Sequence, residues 1–302
     1  MALDSMGKIS LKCFLLGVLI LAVPHLSYVN GLFSYVIVEL WPLVLVSYAV
    51  GANAVIFLLY REAEYQVAVR SCLLGLGIGI GWFLSVSSLS YSLFGWYIVT
   101  LSFFHWSEYF TIAVTNPASL GLESFLLDHS FAYHMAVVGS TIEFALEAYL
   151  FPDLKNLTWL PVLGATLVLC GELLRKAAMF TASSNFDHYV QSSKKPDHQL
   201  VTNGVYSWVR HPSYVGWFYW SVGTQVMLCN PVCLVGYIIA SWMFFKSRIE
   251  YEEVMLINFF GDDYITYQDQ VGTGLPFISG YRVPQEEIDA FRTFADNKDK
   301  DT

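Results

Sequence analysis

Residues 213–247 read SYVGWFYWSVGTQVMLCNPVCLVGYIIASWMFFKS, an apolar run whose one charged side chain is Lys246 and whose one break is Asn230-Pro231. Asn favours the position just before a helix and Pro the first position inside it. The run therefore divides into two apolar helices joined by a tight turn, each near the length needed to cross a bilayer. Working outward, comparable windows lie at roughly 11–29, 34–60, 71–93, 95–115, 131–151 and 159–181. Together with 213–229 and 231–247 they predict an all-α integral membrane protein of about eight transmembrane helices, ending in a helical hairpin.

Composition agrees. Of 302 residues, 55% are apolar and 14% charged, and mean hydropathy is +0.49; a soluble domain carries about 25% charged residues. The net charge of −9 argues against a nucleic-acid partner, since phosphate binding needs clustered Lys and Arg. Five cysteines, mostly inside apolar runs and without a CxxC pair, support neither a disulfide framework nor a zinc site. The first window follows Lys8 and Lys12 but is too long for a cleaved leader and lacks a small-residue cleavage site. It reads as a retained signal anchor.

With a cytosolic N-terminus, eight crossings return the C-terminus to the cytosol. Arg61, Arg70, Arg175, Lys176, Lys194, Lys195, Arg210, Lys246 and Arg248 then share the cytosolic side, and Lys155 alone of the 16 basic residues stands outside. That asymmetry is what the positive-inside rule demands. Residues 1–130 read as N-terminal spans, 131–281 as a catalytic membrane core with cytosolic loops, and 282–302 as a charged, disordered tail.

Several eye-catching features have plain readings. Gly75, Gly77, Gly79 and Gly81 lie inside an apolar span, without the strand-to-helix context of a phosphate loop. They suit close helix packing, within the chain or between copies. Glu39, Glu143, Glu147, Glu172, His105 and His134 are ionisable groups within apolar windows. They are read as interhelical hydrogen-bonding groups rather than as a transporter's proton path, because no repeat or pair of broken helices accompanies them. The histidine spacings support no metal site.

Chemistry concentrates at residues 188–277. His198-Gln199-Leu200-Val201-Thr202-Asn203-Gly204-Val205-Tyr206-Ser207-Trp208-Val209-Arg210-His211-Pro212-Ser213-Tyr214 leads into the hairpin. Arg248 and Glu252 follow it, four residues apart and so on one helix face. Phe260-Gly261-Asp262-Asp263-Tyr264 and Thr273-Gly274-Leu275-Pro276-Phe277 come next. By itself, the Arg248/Glu252 spacing fits an exposed ion pair. In combination, RHPSYxGW, R-x3-EE and FG-x2-Y-x2-Y closely resemble the isoprenylcysteine carboxyl methyltransferases, densely over about 190–278.

The resemblance implies an endoplasmic-reticulum enzyme with a cofactor site at the cytosolic membrane edge. Its cofactor would be S-adenosylmethionine and its partners the bilayer and CaaX proteins ending in farnesyl- or geranylgeranyl-cysteine. It further implies that Gln191, His198, Gln199, Leu200, Val201, Tyr206, His211, Pro212, Ser213 and Tyr214 line the cofactor site. Glu252, with Glu253 as the alternative, would contact the cofactor, and Arg248 would face the substrate carboxylate. Tyr206, Tyr214 and Trp208 are candidates to flank the adenine or the sulfonium. Methyl transfer to an ionised carboxylate needs no general base, so the lack of a His–Asp or Ser–His constellation is no obstacle. It needs in-line placement, and a planar guanidinium is suited to hold a carboxylate. A phospholipid N-methyltransferase is disfavoured because an amine nucleophile gains nothing from Arg248. A sterol-reductase-like enzyme is disfavoured by Trp217 after Gly216, where an acidic residue is expected. A transporter or scaffold would rest on the buried glutamates alone.

Overall fold

A computed structural model describes residues 3–28, 39–87, 89–128 and 130–284. The charged tail expected at 282–302 falls almost wholly outside them. The long helices are α1 (Ser5–Val18), α2 (Trp41–Leu59), α3 (Glu62–Ser87), α4 (Leu89–Thr115), α5 (Phe131–Leu150), α6 (Trp159–Ala182), α7 (Pro212–Leu228) and α8 (Pro231–Phe260), followed by the short α9 (Asp262–Gln270). No strand occurs among the described residues. Among the described residues four helical segments, Ser5–Pro24, Trp41–Leu59, Glu62–Val86 and Pro231–Phe260, are by length and apolarity able to cross a membrane. Val46, Val50 and Leu58 of α2 and Val232, Val235 and Met243 of α8 stand exposed. In water these faces would be unfavourable; in lipid they are solvated.

The hairpin forms where the sequence placed it. Pro231 opens α8, and Glu143 of α5 accepts hydrogen bonds from its first free amides, Val232 N at 2.7 Å and Cys233 N at 2.6 Å. At the far end of α7, Lys155 is buried. Its ammonium donates to the carbonyls of Leu228 and Cys229, each at 2.9 Å, and pairs with Glu147 at 2.6 Å. Glu172 accepts from Ser107 Oγ at 2.7 Å, and the His105 ring contacts Phe125 O and the Tyr133 hydroxyl. These are the interhelical hydrogen bonds expected of such groups. His134 differs: it bonds within its own neighbourhood, to Leu127 O at 3.0 Å. Glu39 is exposed.

Small residues set the helix spacing. Gly75 packs against Gly17 of α1, Gly77 against Ser102, Gly79 against Ile20 and Gly81 against Gly95. Every member of the glycine stripe is thus used within the chain. A second seam joins α6 to α7: a Cβ on Gly171 would lie 2.5 Å from Gly216 O, and one on Gly223 would lie 2.8 Å from Val168 N. Backbones that close tolerate no side chain. Several boundaries differ from the hydropathy windows. The third span begins at Glu62, because the Glu, Gln and Arg residues that lower hydropathy there are still good helix formers, and α4 begins at Leu89, within the third window. Likewise α8 runs on to Phe260, well past the apolar window.

Candidate active site

The α6–α7 seam, the opening of α7 and the second half of α8 converge on one end of the bundle. There the irregular segment between α6 and α7 folds back over a cavity of about 310 Å³. Pro212 starts α7 at the cavity wall. Asn203 precedes Gly204, whose φ of +57° is the left-handed conformation that glycine adopts without strain. Arg210 N donates to Gly272 O at 2.9 Å, which draws the chain after α9 against the same end.

Twelve of the candidate residues meet at this cavity: Gln191, His198, Gln199, Leu200, Val201, Tyr206, His211, Pro212, Ser213, Tyr214, Arg248 and Glu252 line it. Gln191 Nε2 donates to Asp187 at 2.8 Å and Gln199 N to Asn185 Oδ1 at 2.8 Å. His198 lies edge-on to Phe259 and Phe260. Its Nδ1 is buried without a hydrogen-bond partner among the described residues. Burial first, then the ammonium groups of Lys195 and Lys194, hold its pKa below the ordinary histidine value. Burial raises the Tyr206 pKa, with the nearby Glu252 charge adding to it, so that hydroxyl stays protonated. Trp208, a candidate ring for the cofactor, is instead 73% exposed and stands outside the cavity lining. Of the Gly204–Ser207 turn just before it, Tyr206 is the residue that lines the cavity.

Arg248 and Glu252 do not form the exposed ion pair that their spacing allows. Tyr214 stands between them: its hydroxyl donates to Glu252 and accepts from Arg248 Nε at 3.2 Å. Arg248 Nη2 donates to His188 O at 2.6 Å, while its Nη1 has no hydrogen bond among the described residues. The guanidinium is thus held along one edge with donor capacity to spare.

Glu253, the alternative carboxylate, faces the opposite way. It is fully buried and accepts from Arg210 Nε at 2.5 Å, His211 Nε2 at 3.0 Å, Tyr264 OH at 3.3 Å, Gln268 Nε2 at 3.1 Å and Tyr281 N at 2.7 Å. Consecutive helical residues point about 100° apart. One carboxylate therefore meets the cavity while the next ties α9 and the chain beyond it to α8.

Several residues at the site escaped the sequence reading. Glu123, Leu126 and Asp128, from the segment before α5, line the cavity. Phe125 anchors that segment by stacking on Tyr109, with ring centroids 4.0 Å apart. Arg175 and His188 also line it, and behind them Glu108 of α4 is wholly buried. Its carboxylate receives Arg175 Nε at 2.7 Å and Nη2 at 2.6 Å, His188 Nε2 at 2.8 Å, and Lys176. A lone carboxylate in an otherwise apolar window was the available signal.

The sequence model of the isoprenylcysteine carboxyl methyltransferase family matches residues 163–258, which run from α6 through the cavity-covering segment to the end of α8. The chain is 53% identical over 279 residues to the human protein-S-isoprenylcysteine O-methyltransferase, covering 92% of this chain and 95% of that one. The chain belongs to this methyltransferase family. The Tribolium castaneum relative is 44% identical over 282 residues, covering 93% of this chain and all of its own. A solved structure of the eukaryotic intramembrane Ras methyltransferase superposes with a TM-score of 0.87 at 44% identity, over 93% of this chain and 100% of that one. In this family's terms the chain is a multi-pass membrane methyltransferase, and most of the cavity's lining residues fall within the matched segment, with Glu123, Leu126 and Asp128 added from before it.

Proposed function

We propose that the enzyme transfers a methyl group from S-adenosylmethionine to the C-terminal carboxylate of a prenylated cysteine, at the cytosolic edge of the endoplasmic-reticulum membrane. Methylation of prenylcysteine follows from family membership. The donor, the site residues and the location are the further steps of this reading. The observation that carries them is the Arg248–Tyr214–Glu252 chain on the cavity wall, which gives one pocket an anchored cation and a carboxylate.

The wall suits an adenosylmethionine-sized ligand. It offers the unpartnered Nδ1 of His198, the Glu252 carboxylate for an amino group, and the ring of Tyr206. Gln191, Gln199, Leu200, Val201, His211, Pro212 and Ser213 complete it. When bound, S-adenosylmethionine supplies an electrophilic methyl group on a sulfonium. Arg248 holds the substrate carboxylate through the nitrogen that its own contacts leave available. That carboxylate is ionised well below neutral pH, so no residue has to remove a proton. Tyr214 shares its hydroxyl between Arg248 and Glu252, which fixes the guanidinium plane and keeps the two charges from collapsing onto one another. The substrate's prenyl chain remains on the lipid side, where the exposed apolar faces of α5 and α8 already lie. Eight crossings with both termini in the cytosol place the Lys- and Arg-rich loops on the cavity's side. In this reading residues 131–281 form the core of the enzyme.

Replacing Arg248 with Lys tests the assignment. The cation remains but the fixed plane and aim of the guanidinium, set by Tyr214 and His188 O, are lost, so methylation of N-acetyl-farnesylcysteine should fall about a hundredfold. Adenosylhomocysteine binding should persist. Near-normal turnover in that variant would refute the assignment.

A further inference from the structure

The carbonyl that holds Arg248 belongs to His188, in a stretch that forms no helix. Such a carbonyl is fixed only by what anchors its residue. The anchor is Glu108: its carboxylate can only accept, so the proton between it and His188 Nε2, 2.8 Å away, is carried by the ring. The same carboxylate is clasped by both edge nitrogens of Arg175, and Arg175 Nη1 continues to Ser213 Oγ at 2.8 Å. Glu108 is fully buried and the side chains of Arg175 and His188 are 2% and 7% exposed, so water competes with none of these bonds.

We infer that Glu108 is a positioning residue for the methyl-transfer reaction, aiming Arg248 at the substrate carboxylate through the His188 ring and backbone carbonyl. The inference rests on the reading of Arg248 as the carboxylate's holder. The link runs from α4, in the N-terminal half, across the irregular segment to α8. It gives a carboxylate outside the cavity a specific part in the reaction geometry. A purely architectural Glu108 would tie α4 to α6 through Arg175 and Lys176 and would have no need of His188.

A double-mutant cycle separates these roles. Glu108→Gln leaves Arg175 buried beside a neutral amide and is open to misfolding. His188→Phe therefore serves as the second variant, because it cuts only the ring–carboxylate bond and keeps the Glu108–Arg175–Lys176 cluster. Both variants should lower kcat for N-acetyl-farnesylcysteine about tenfold. KM and the Kd for adenosylhomocysteine should stay within about threefold. In an Arg248→Lys background, His188→Phe should cost less than about twofold more, because the group it aims is already gone. Normal kcat in His188→Phe would overturn the inference. So would losses that multiply in the double variant, or a cofactor affinity that falls in step with kcat. Near-normal turnover of Arg248→Lys alone would instead overturn the assignment of Arg248, and the two failures remain distinct.

Discussion

Glu253→Gln should destabilise the enzyme severely, while Glu252→Gln, one residue away, should not. Five donors converge on Glu253. Three meet Oε1 (Arg210, His211 and Tyr264) and two meet Oε2 (Gln268 and Tyr281 N). A glutamine must turn its NH2 toward one group or the other, so at least two donors face a donor. At about 1–3 kcal/mol for each unsatisfied buried group, the loss is about 2–6 kcal/mol. Independently, removing one member of a buried ion pair costs about 3–5 kcal/mol, and the side chains of Arg210 and Glu253 are 2% and 0% exposed. Among the described residues Glu252 accepts one hydrogen bond, from Tyr214, and lies 3.9 Å from His211 Nδ1 with 27% of its side chain exposed, so its amide should cost no more than about 1 kcal/mol. Cys13, Cys72 and Cys229 are buried, so a thiol-reactive dye reports unfolding of the detergent-solubilised protein. Glu253→Gln should melt roughly 6 °C or more below the parent, and Glu252→Gln close to it. Equal melting of the two variants, or a lower midpoint for Glu252→Gln, would refute this division of labour.

Two further outcomes follow from other parts of the molecule. Lys155 sits at the end of α7 remote from the cavity, about 25 Å along that helix. Lys155→Met strands Glu147 and the Leu228 and Cys229 carbonyls, so melting should fall by about 3 kcal/mol equivalent while turnover of the folded enzyme is kept; an unchanged midpoint contradicts this. His198 has a folded-state pKa lowered chiefly by burial, so the unfolded chain takes up the proton first as pH drops. Its contribution to stability is intact above about 6.5 and is lost as pH falls from there toward the folded value. His198→Asn should therefore narrow the gap in melting temperature between neutral and mildly acidic pH, and an identical gap in parent and variant would refute it.

The hairpin was legible because its turn is written in two adjacent residues, Asn230 and Pro231, with local preferences that nothing tertiary overrides. The cavity-lining residues before and within α7 were legible through the family resemblance, and they do meet around one space. What the sequence hid is of a different kind. Choosing between Glu252 and Glu253 requires the rotation of α8 about its own axis, which packing against α7 and α9 sets and spacing does not. Glu108 and Arg175 lie 67 positions apart, on helices whose juxtaposition only the folded chain supplies. The Arg248–Glu252 spacing suggested a direct pair, because no local rule reports a third side chain such as Tyr214 arriving between them. The helical extent of α8 beyond Glu252 to Phe260 went unread because hydropathy measures what lipid accepts, whereas the backbone continues wherever its own bonds can form.

The glycine seam between α6 and α7 works as a ruler. Where Gly171 meets Gly216 and Gly164 meets the Gly223–Met227 turn, no compressible side chain lies between the two backbones. Neither helix can slide or part by even a fraction of a turn without losing contact along the whole edge. The height of Pro212 above Arg175, and with it the level of Ser213 and Tyr214, is fixed by this edge before any ligand arrives. In the proposed reading the substrate's tail is admitted at the other walls, the segment joining α6 to α7 and α8, whose Gly236 meets nothing within 4 Å. In that reading the wall set by the glycine edge aligns the reacting groups, and the walls without such an edge admit the substrate.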